Sequence, residues 1–311
     1  MGHAIYHSTD FNPVNVDGIN RYITALCENL LSLEPSILTL SSDVGQHQWG
    51  SLTALPSNND SVPYGWNIFK FDDGHGEIFI KFEYFKTYYD SYYIGHAIRL
   101  TCGKNTDGAG TIVDLLSDRV MSFPLTSSYY VDDQQSQYHK NRMVCGEGFL
   151  AISLAGSRLS SPSKSNIFAL SRPVDQSGAV VSDKIIVYTT TLSGDVSAVL
   201  WGSNSYRLVY NLNDLSLVSS NLLSEYGNGH ELTGISQLNS NGETRFSRML
   251  VRAPEFLYEP NIIISRKSGN DWDTLIAPEG QGGPVFSEWG CFGSYDSTTT
   301  SNPYTGFVRW E

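Results

Sequence analysis

Residues 76–112, GEIFIKFEYFKTYYDSYYIGHAIRLTCGKNTDGAGTI, decide the fold, because they hold the clearest alternation of apolar and polar side chains in the chain. Every second residue from Ile78 to Tyr84 is apolar, and this period of two predicts a strand with one buried face. A second alternating run, Ala97–Cys102, predicts a strand that pairs antiparallel with the first. The stretch therefore indicates a sheet and carries no chemical motif.

The connections around these two strands follow from their turn-forming residues. The tyrosine-rich stretch 86–95, KTYYDSYYIG, predicts an aromatic loop that is long for a tight hairpin turn. The stretch 104–110 predicts a turn in which Asn105, Gly108 and Gly110 are the candidates for positive φ.

An earlier hairpin is predicted upstream of the same stretch. Trp66–Phe71 and Glu77–Phe85 flank the five-residue segment 72–76, DDGHG, which has the composition of a turn. Two aspartates and a histidine in one loop raise the alternative of a metal site, but turns need Asp and Gly in any case. The interpretation adopted for 72–76 is a solvated turn.

One amphipathic helix is predicted near the N-terminus. Asp17 is a candidate N-cap, and Glu34–Pro35 ends the run, because the residue before proline disfavours helical backbone. Such a helix either packs on its own sheet or docks a partner, and the first interpretation is favoured. The apolar stripe at helical spacing consists of Ile19, Tyr22, Ile23, Leu26, Leu30 and Leu33.

The rest of the chain predicts short strands separated by turn residues, together with a short helix over 215–226. This spacing, with 28 Gly and 17% charged residues, predicts a mainly β protein. The expected architecture is an antiparallel β-sandwich or jelly-roll-like fold with an N-terminal amphipathic helix and long loops. The predicted strands are Phe149–Leu154, Ile167–Leu170, Lys184–Thr191, Ala198–Trp201, Tyr206–Tyr210, Phe246–Ala253, Asn261–Ser265, Trp272–Ile276 and Tyr304–Trp310.

A composition shift near 140–148 predicts a division into two β regions, 1–145 with the helix and 146–311, with one continuous domain as the alternative. The terminal segments 1–15 and 303–311 are predicted to contact neighbouring subunits, because extended arms and edge strands bind neighbours.

The net charge of −12 disfavours nucleic acid as a partner, because counterion release requires clustered Lys and Arg, and it disfavours an anionic membrane surface. No window approaches the length of a membrane span, and no signal peptide is recognisable, so a soluble protein made in the cytoplasm is expected. The four cysteines form no CxxC pair and are expected to be buried free thiols.

No catalytic constellation is present, so no catalytic, cofactor-binding or metal-binding residue is predicted, and the chain is expected not to be an enzyme. The run 280–284, GQGGP, is similar to the nucleophile loop of trypsin-like proteases, but Gln281 stands where a serine is needed. A glycoside hydrolase would need two carboxylates across a cleft, and Glu83 and Asp90 are the nearest candidates.

Five tyrosines around the predicted aromatic loop form the candidate interaction surface: Tyr84, Tyr88, Tyr89, Tyr92 and Tyr93. Tyrosine supplies rigid area with a polar end, which suits the binding of sugars or proteins. The alternative, of equal weight, is that half of these rings line the core.

Four segments of the chain stand out together: the N-terminal helix, the hairpin strand IFIKFEY, the run AIRLTCGKNTDGAGTI and the closing GFVRWE. In this combination they resemble the uncharacterised virion structural proteins of tailed bacteriophages. The resemblance is most specific over about 75–112 and at the last few residues. It implies a structural component of the tail, baseplate, fibre-attachment or neck region, present in several copies and without an active site.

Three hypotheses of function follow. The first is a non-enzymatic virion subunit that assembles with itself and with other virion proteins. The second is a carbohydrate- or receptor-binding module that presents the tyrosine-rich surface to a host-surface glycan. The third is a glycan hydrolase on a β scaffold, which the lack of a recognisable acid pair disfavours.

Overall fold

The computed structural model contains eighteen antiparallel strands and one helix in the part of the chain that it describes. The prediction of a mainly β, sandwich-like fold with one N-terminal helix is therefore confirmed. The structure describes residues 2–7, 15–57, 59, 61–89, 93–116, 121–127, 140–153, 167–191, 204–222, 246–252, 256–265, 275–276, 282–291 and 305–311.

The helix, α1, spans Val16–Leu31. The strands are β1 (Gly2–His7), β2 (Leu38–Leu40), β3 (Gly65–Asp72), β4 (Glu77–Tyr89), β5 (Tyr93–Thr106), β6 (Ile112–Leu115), β7 (Met121–Ser127), β8 (Lys140–Gly146), β9 (Phe149–Ser153), β10 (Ile167–Ser171), β11 (Lys184–Thr191), β12 (Asn204–Asn211), β13 (Leu217–Leu222), β14 (Phe246–Arg252), β15 (Phe256–Ser265), β16 (Leu275–Ile276), β17 (Phe286–Cys291) and β18 (Thr305–Arg309).

The strands form three sheets. The central sheet has the order β1-β8-β9-β10-β11-β12-β13, so from β8 onward each strand pairs with the next one in the chain. The helix-side sheet has the order β2-β3-β4-β5-β6, and β7 also pairs with β5. The C-terminal sheet has the order β14-β15-β18-β17-β16.

The central sheet is covered on both faces, which explains its apolar strands. Leu150 and Ile152 of β9 face a core shared with α1 and the helix-side sheet. Phe149 and Ala151, on the opposite face of the same strand, belong to a second core shared with the C-terminal sheet. Because both faces are dry, all five residues of β9 are buried and the strand reads FLAIS without alternation.

The long hairpin of β4 and β5 corrects the prediction of an aromatic loop. The two strands pair without interruption from Phe79 opposite Gly103 to Tyr89 opposite Tyr93. Tyrosine and threonine favour strands, so the stretch interpreted as a loop continues the sheet. Residues 90–92 lie outside the described residues.

The helix stripe predicted from the sequence is buried in the first core, as expected for a helix that packs on its own sheets. The N-cap, however, is Asn15, whose Oδ1 accepts a hydrogen bond from the backbone N–H of Gly18 at 2.7 Å. Asp17 instead lies in the first turn, where a negative charge suits the helix dipole. No helix among the described residues is long and apolar enough to span a membrane.

Both terminal segments take part in their own chain's sheets. β1 pairs with β8, and β18 lies between β15 and β17, so neither edge of β18 is free. The rings of His3 and Trp310 also contact each other, with centroids 4.1 Å apart. β18 therefore has no free edge for pairing with a neighbouring subunit, and β1 keeps at most one; contact of the terminal segments with other subunits stays a prediction.

One further prediction is corrected: the segment proposed as a helix over 215–226 contains the edge strand β13. The division into two β regions stays a prediction. The predicted domain boundary after residue 145 falls inside β8, whose hairpin partner β9 follows in the other proposed region. The glycines of the 104–110 turn do have positive φ, 76° at Gly108 and 100° at Gly110, whereas Asn105 lies in β5.

Candidate functional site

Tyr84, the first residue of the predicted interaction surface, is a core residue. Its side chain is 1% exposed, and its hydroxyl donates to Asn67 Oδ1 at 2.8 Å. The same hydroxyl lies 3.5 Å from the thiol of Cys27 on α1. Tyr84 therefore joins the helix-side sheet to the helix and contributes nothing to a binding surface.

Three of the other four tyrosines of that prediction belong to the far end of the β4–β5 hairpin. Tyr88, Tyr89 and Tyr93 lie in paired strand backbone, and Tyr92 is outside the described residues. β3 accompanies β4 only as far as the pair Gly65–Tyr84. The hairpin thus continues beyond the end of β3 and carries these tyrosines with it.

The described thiols are buried and unreactive. Cys27, Cys102 and Cys145 are free, and burial raises the pKa of each to about 12. A cysteine acts as a nucleophile through its thiolate, so these three are structural side chains.

Glu83, one of the two carboxylates considered for hydrolysis, is held in an ion-pair cluster. It accepts a hydrogen bond from Arg99 Nε at 2.7 Å and lies 2.9 Å from Lys81 Nζ. Burial alone would raise its pKa, but the hydrogen bonds from Arg99 and Lys81 outweigh burial and lower it. A general acid needs a raised pKa, so Glu83 is unsuited to that role. Asp90 is outside the described residues.

The loop 72–76 contains a buried ion pair that the sequence did not reveal. Arg172, which follows β10, donates from Nε to Asp73 Oδ2 at 2.9 Å and from Nη2 to Asp73 Oδ1 at 3.1 Å. Both side chains are 0% exposed. The remaining donors of Arg172 reach the carbonyl oxygens of Ser182 and Gly76. Asp73 therefore fastens the helix-side sheet to the central sheet, and the interpretation of this loop as a solvated turn is wrong for Asp73.

A second buried polar cluster links the central sheet to the C-terminal sheet. Glu259 of β15 accepts hydrogen bonds from Ser171 Oγ at 2.7 Å, from Tyr188 Oη at 2.9 Å and from the backbone N–H of Asn261 at 2.7 Å. The carboxyl is fully buried, and burial raises its pKa despite these donors and the nearby Arg207.

The raised pKa of Glu259 predicts a loss of stability as pH rises. The stability that protonated Glu259 contributes is fully present below pH 4.5, the ordinary pKa of a glutamate. It is lost as pH rises through the higher pKa of the folded state, because the carboxyl of the unfolded chain releases its proton at lower pH. In urea titrations at a series of pH values, Glu259→Gln should reduce this loss, since glutamine cannot ionise. Glu28→Gln on the exposed side of α1 is the control and should follow the unmodified chain. An unchanged pH profile in Glu259→Gln would contradict the assignment.

A cleft of about 540 Å³ opens between the central sheet and the C-terminal sheet, beside the segment that follows α1. Its volume is within the size range of small-ligand sites. Pro35, after α1, forms one part of its wall, and Glu147, in the β8–β9 turn, forms another. Arg172, Asn261 and Arg309 supply the other polar side chains. The segments are far apart in the sequence, so no local motif could have predicted the cleft.

The remaining chemistry of the described residues is limited. They contain no group of three His, Cys, Asp or Glu side chains that could hold a metal ion. No model of a known protein family matches the chain. No curated protein matches it either. Its function must therefore be argued from geometry and from the sequence resemblance.

Proposed function

We propose that the protein is a non-enzymatic structural subunit of a bacteriophage particle, in its tail, baseplate, neck or fibre-attachment region. It would assemble with copies of itself and with other virion proteins. The virion assignment rests on the sequence resemblance over about 75–112 and at the closing residues.

The observation that carries the assembly proposal is the position of the exposed apolar side chains. Among the strand side chains whose exposure the structure describes, all the large exposed apolar ones belong to edge strands, and each of the three sheets contributes at least one. An edge strand offers unpaired backbone groups, and proteins that must not associate usually place charges there. The residues are Leu40 in β2, Val113 and Leu115 in β6, Leu217 in β13 and Leu275 in β16.

β13 is the edge that best fits a second copy of the chain. Its sequence, LVSSNL, contains neither charge nor proline, whereas the whole chain carries −12. Two acidic copies meet most easily where neither presents a charge. Antiparallel pairing about Ser219 and Ser220 places Leu217 of each copy opposite Leu222 of the other, as a two-fold interface requires.

The test places charges on this edge. Leu217 is 49% exposed and Ser220 is exposed, so Leu217→Lys with Ser220→Lys should leave the fold intact. In this register the lysine introduced at position 217 of each copy would lie diagonally across from the lysine introduced at position 220 of the other, on the same face of the paired strands. Their like charges repel, so the dissociation constant should rise about tenfold or more. Light scattering and sedimentation over a concentration series measure this change.

The matched control is Val44→Lys, at an apolar residue that is 70% exposed in a loop. It adds the same kind of charge away from β13 and should assemble as the unmodified protein does. An unmodified protein that stays monomeric at every concentration, or a β13 variant that assembles like the control, would overturn self-association through this edge.

The extension of the β4–β5 hairpin beyond β3 favours a second candidate, a carbohydrate- or receptor-binding module. A hairpin end that carries several tyrosines is suited to contact a glycan or a protein. Calorimetric titration with host-surface glycans tests this candidate. Selective binding that Tyr88→Ala and Tyr92→Ala both abolish would support it, and unaltered binding in both variants would exclude the tyrosines.

A further inference from the structure

The cleft between the central and C-terminal sheets is lined by two arginines that differ in their hydrogen bonding. Arg172 directs its donors to Asp73, Ser182 and Gly76. The guanidinium of Arg309, at the end of β18, has no hydrogen-bond or ion-pair partner among the residues that the structure describes, and its Nε is buried. A guanidinium has only donors, and a buried donor without an acceptor costs free energy. The cleft thus holds a cation that is ready for an acceptor.

Asn261 supplies an oriented acceptor on the neighbouring strand. Ile262 pairs with Val308 in an antiparallel ladder, so Asn261, one residue before Ile262, lies beside Arg309, one residue after Val308. Asn261 is 97% buried; its Nδ2 donates to Ser171 Oγ at 3.3 Å and its backbone N–H donates to Glu259. Its Oδ1 accepts no bond from the described part of the chain. The Glu259 cluster therefore holds this amide in place before any ligand binds.

The other residues of the cleft limit the ligand class. Glu147 is exposed at the cleft and would repel a phosphate or another multiply charged anion, but it can accept hydrogen bonds from hydroxyl groups. Pro35, Val174 and Pro260 give apolar surface suited to the C–H face of a sugar ring. A guanidinium matches a carboxylate in a planar, bidentate arrangement.

We infer that this cleft binds a carboxylate-bearing saccharide. Arg309 holds the carboxylate, while Asn261 Oδ1 and Glu147 accept hydrogen bonds from ring hydroxyls. The site is far in sequence from the tyrosines of the β4–β5 hairpin and does not depend on association through β13. A subunit could therefore combine assembly at its edges with recognition of an acidic glycan.

The test titrates the full chain with glucuronate, galacturonate and N-acetylneuraminate, using calorimetry and ligand-observed NMR. Glucose and inorganic phosphate are the comparison ligands. At least one sugar acid should bind saturably, and Arg309→Gln should weaken it about tenfold or more, the loss expected for one charge-assisted bidentate contact. Arg21→Gln on the exposed surface of α1 removes the same charge outside the cleft and should bind normally.

A second variant keeps the proposal testable if Arg309→Gln fails to fold. Glu147→Gln changes an exposed turn residue and retains an acceptor, and the loss of its negative charge should strengthen sugar-acid binding about twofold or more. The proposal is overturned if no sugar acid binds, if phosphate or glucose binds equally well, if Arg309→Gln binds like Arg21→Gln, or if Glu147→Gln leaves the affinity unchanged.

Discussion

Asp73→Ala is expected to lower the free energy of unfolding by about 3–5 kcal/mol, because it leaves the guanidinium of Arg172 buried without its carboxylate. The two side chains are 0% exposed and form two parallel hydrogen bonds of 2.9 and 3.1 Å. Arg172 would keep only the carbonyl oxygens of Ser182 and Gly76 as partners. Carbonyl dipoles cannot replace the negative charge, so the loss far exceeds that of a surface pair.

Urea unfolding followed by circular dichroism measures the effect, and Asp72→Ala is the matched control. Asp72 is the neighbouring aspartate. It is exposed, and among the described residues its side chain accepts one hydrogen bond, from the backbone N–H of Gly74 at 3.2 Å. Its removal should cost about 1 kcal/mol or less. Equal losses for Asp72→Ala and Asp73→Ala would show that the ion pair does not link the sheets. Combining Asp73→Leu with Arg172→Met should recover part of the loss, because no buried charge then remains.

The hairpin strands could be predicted from the sequence because their pattern is local. Ile78, Ile80 and Phe82 alternate with more polar residues, and this period of two determines which face is buried whatever the partner strand is. The helix could be predicted for the same reason, since its stripe repeats within a few residues. The predicted N-cap, Asp17, lies two residues after the observed one, Asn15, because both residue types are good caps and spacing alone does not choose between them.

The buried polar links could not be predicted, because each joins residues far apart in the chain. Arg172 and Asp73 are 99 positions apart, and Ser171 and Glu259 are 88 apart. The local pattern of Arg207, between Tyr206 and Leu208 in β12, is misleading. Alternation alone assigns this charged residue to solvent, yet Arg207 is 0% exposed because the C-terminal sheet covers that face.

The loop predicted over 86–95 and the helix predicted over 215–226 both contain strand residues, for related reasons. Polar and aromatic residues in 86–95 suggested a loop, but tyrosine and threonine are good strand formers and the backbone pairing continues through them. In 215–226, Leu215, Val218 and Leu222 happen to match helical spacing over a short window. A six-residue edge strand has no full apolar face to bury, so its pattern is weak and a helix is easily assigned.

Tyr84→Ala is expected to lower the free energy of unfolding by about 3–5 kcal/mol, the range for truncating a buried aromatic ring. The centroid of its ring lies 5.8 Å from that of His47 and 6.1 Å from that of Tyr64, so removal of the ring leaves a cavity among packed aromatic side chains. If Tyr84 were part of an exposed binding surface, the change would be within about 0.5 kcal/mol. The same variant therefore separates the core role from the surface role.

A milder variant and a control complete the comparison of these two roles. Tyr84→Phe keeps the ring but leaves Asn67 Oδ1 without its donor at a residue that is 0% exposed, so a loss of about 1–2 kcal/mol is expected. Val44→Ala, at the 70% exposed loop position, should change stability little. Chemical denaturation gives all three values. Losses of stability that decrease in the order Tyr84→Ala, Tyr84→Phe, Val44→Ala would establish Tyr84 as a core residue that links α1 to its sheet. Three small and equal losses would instead indicate that Tyr84 is a surface residue.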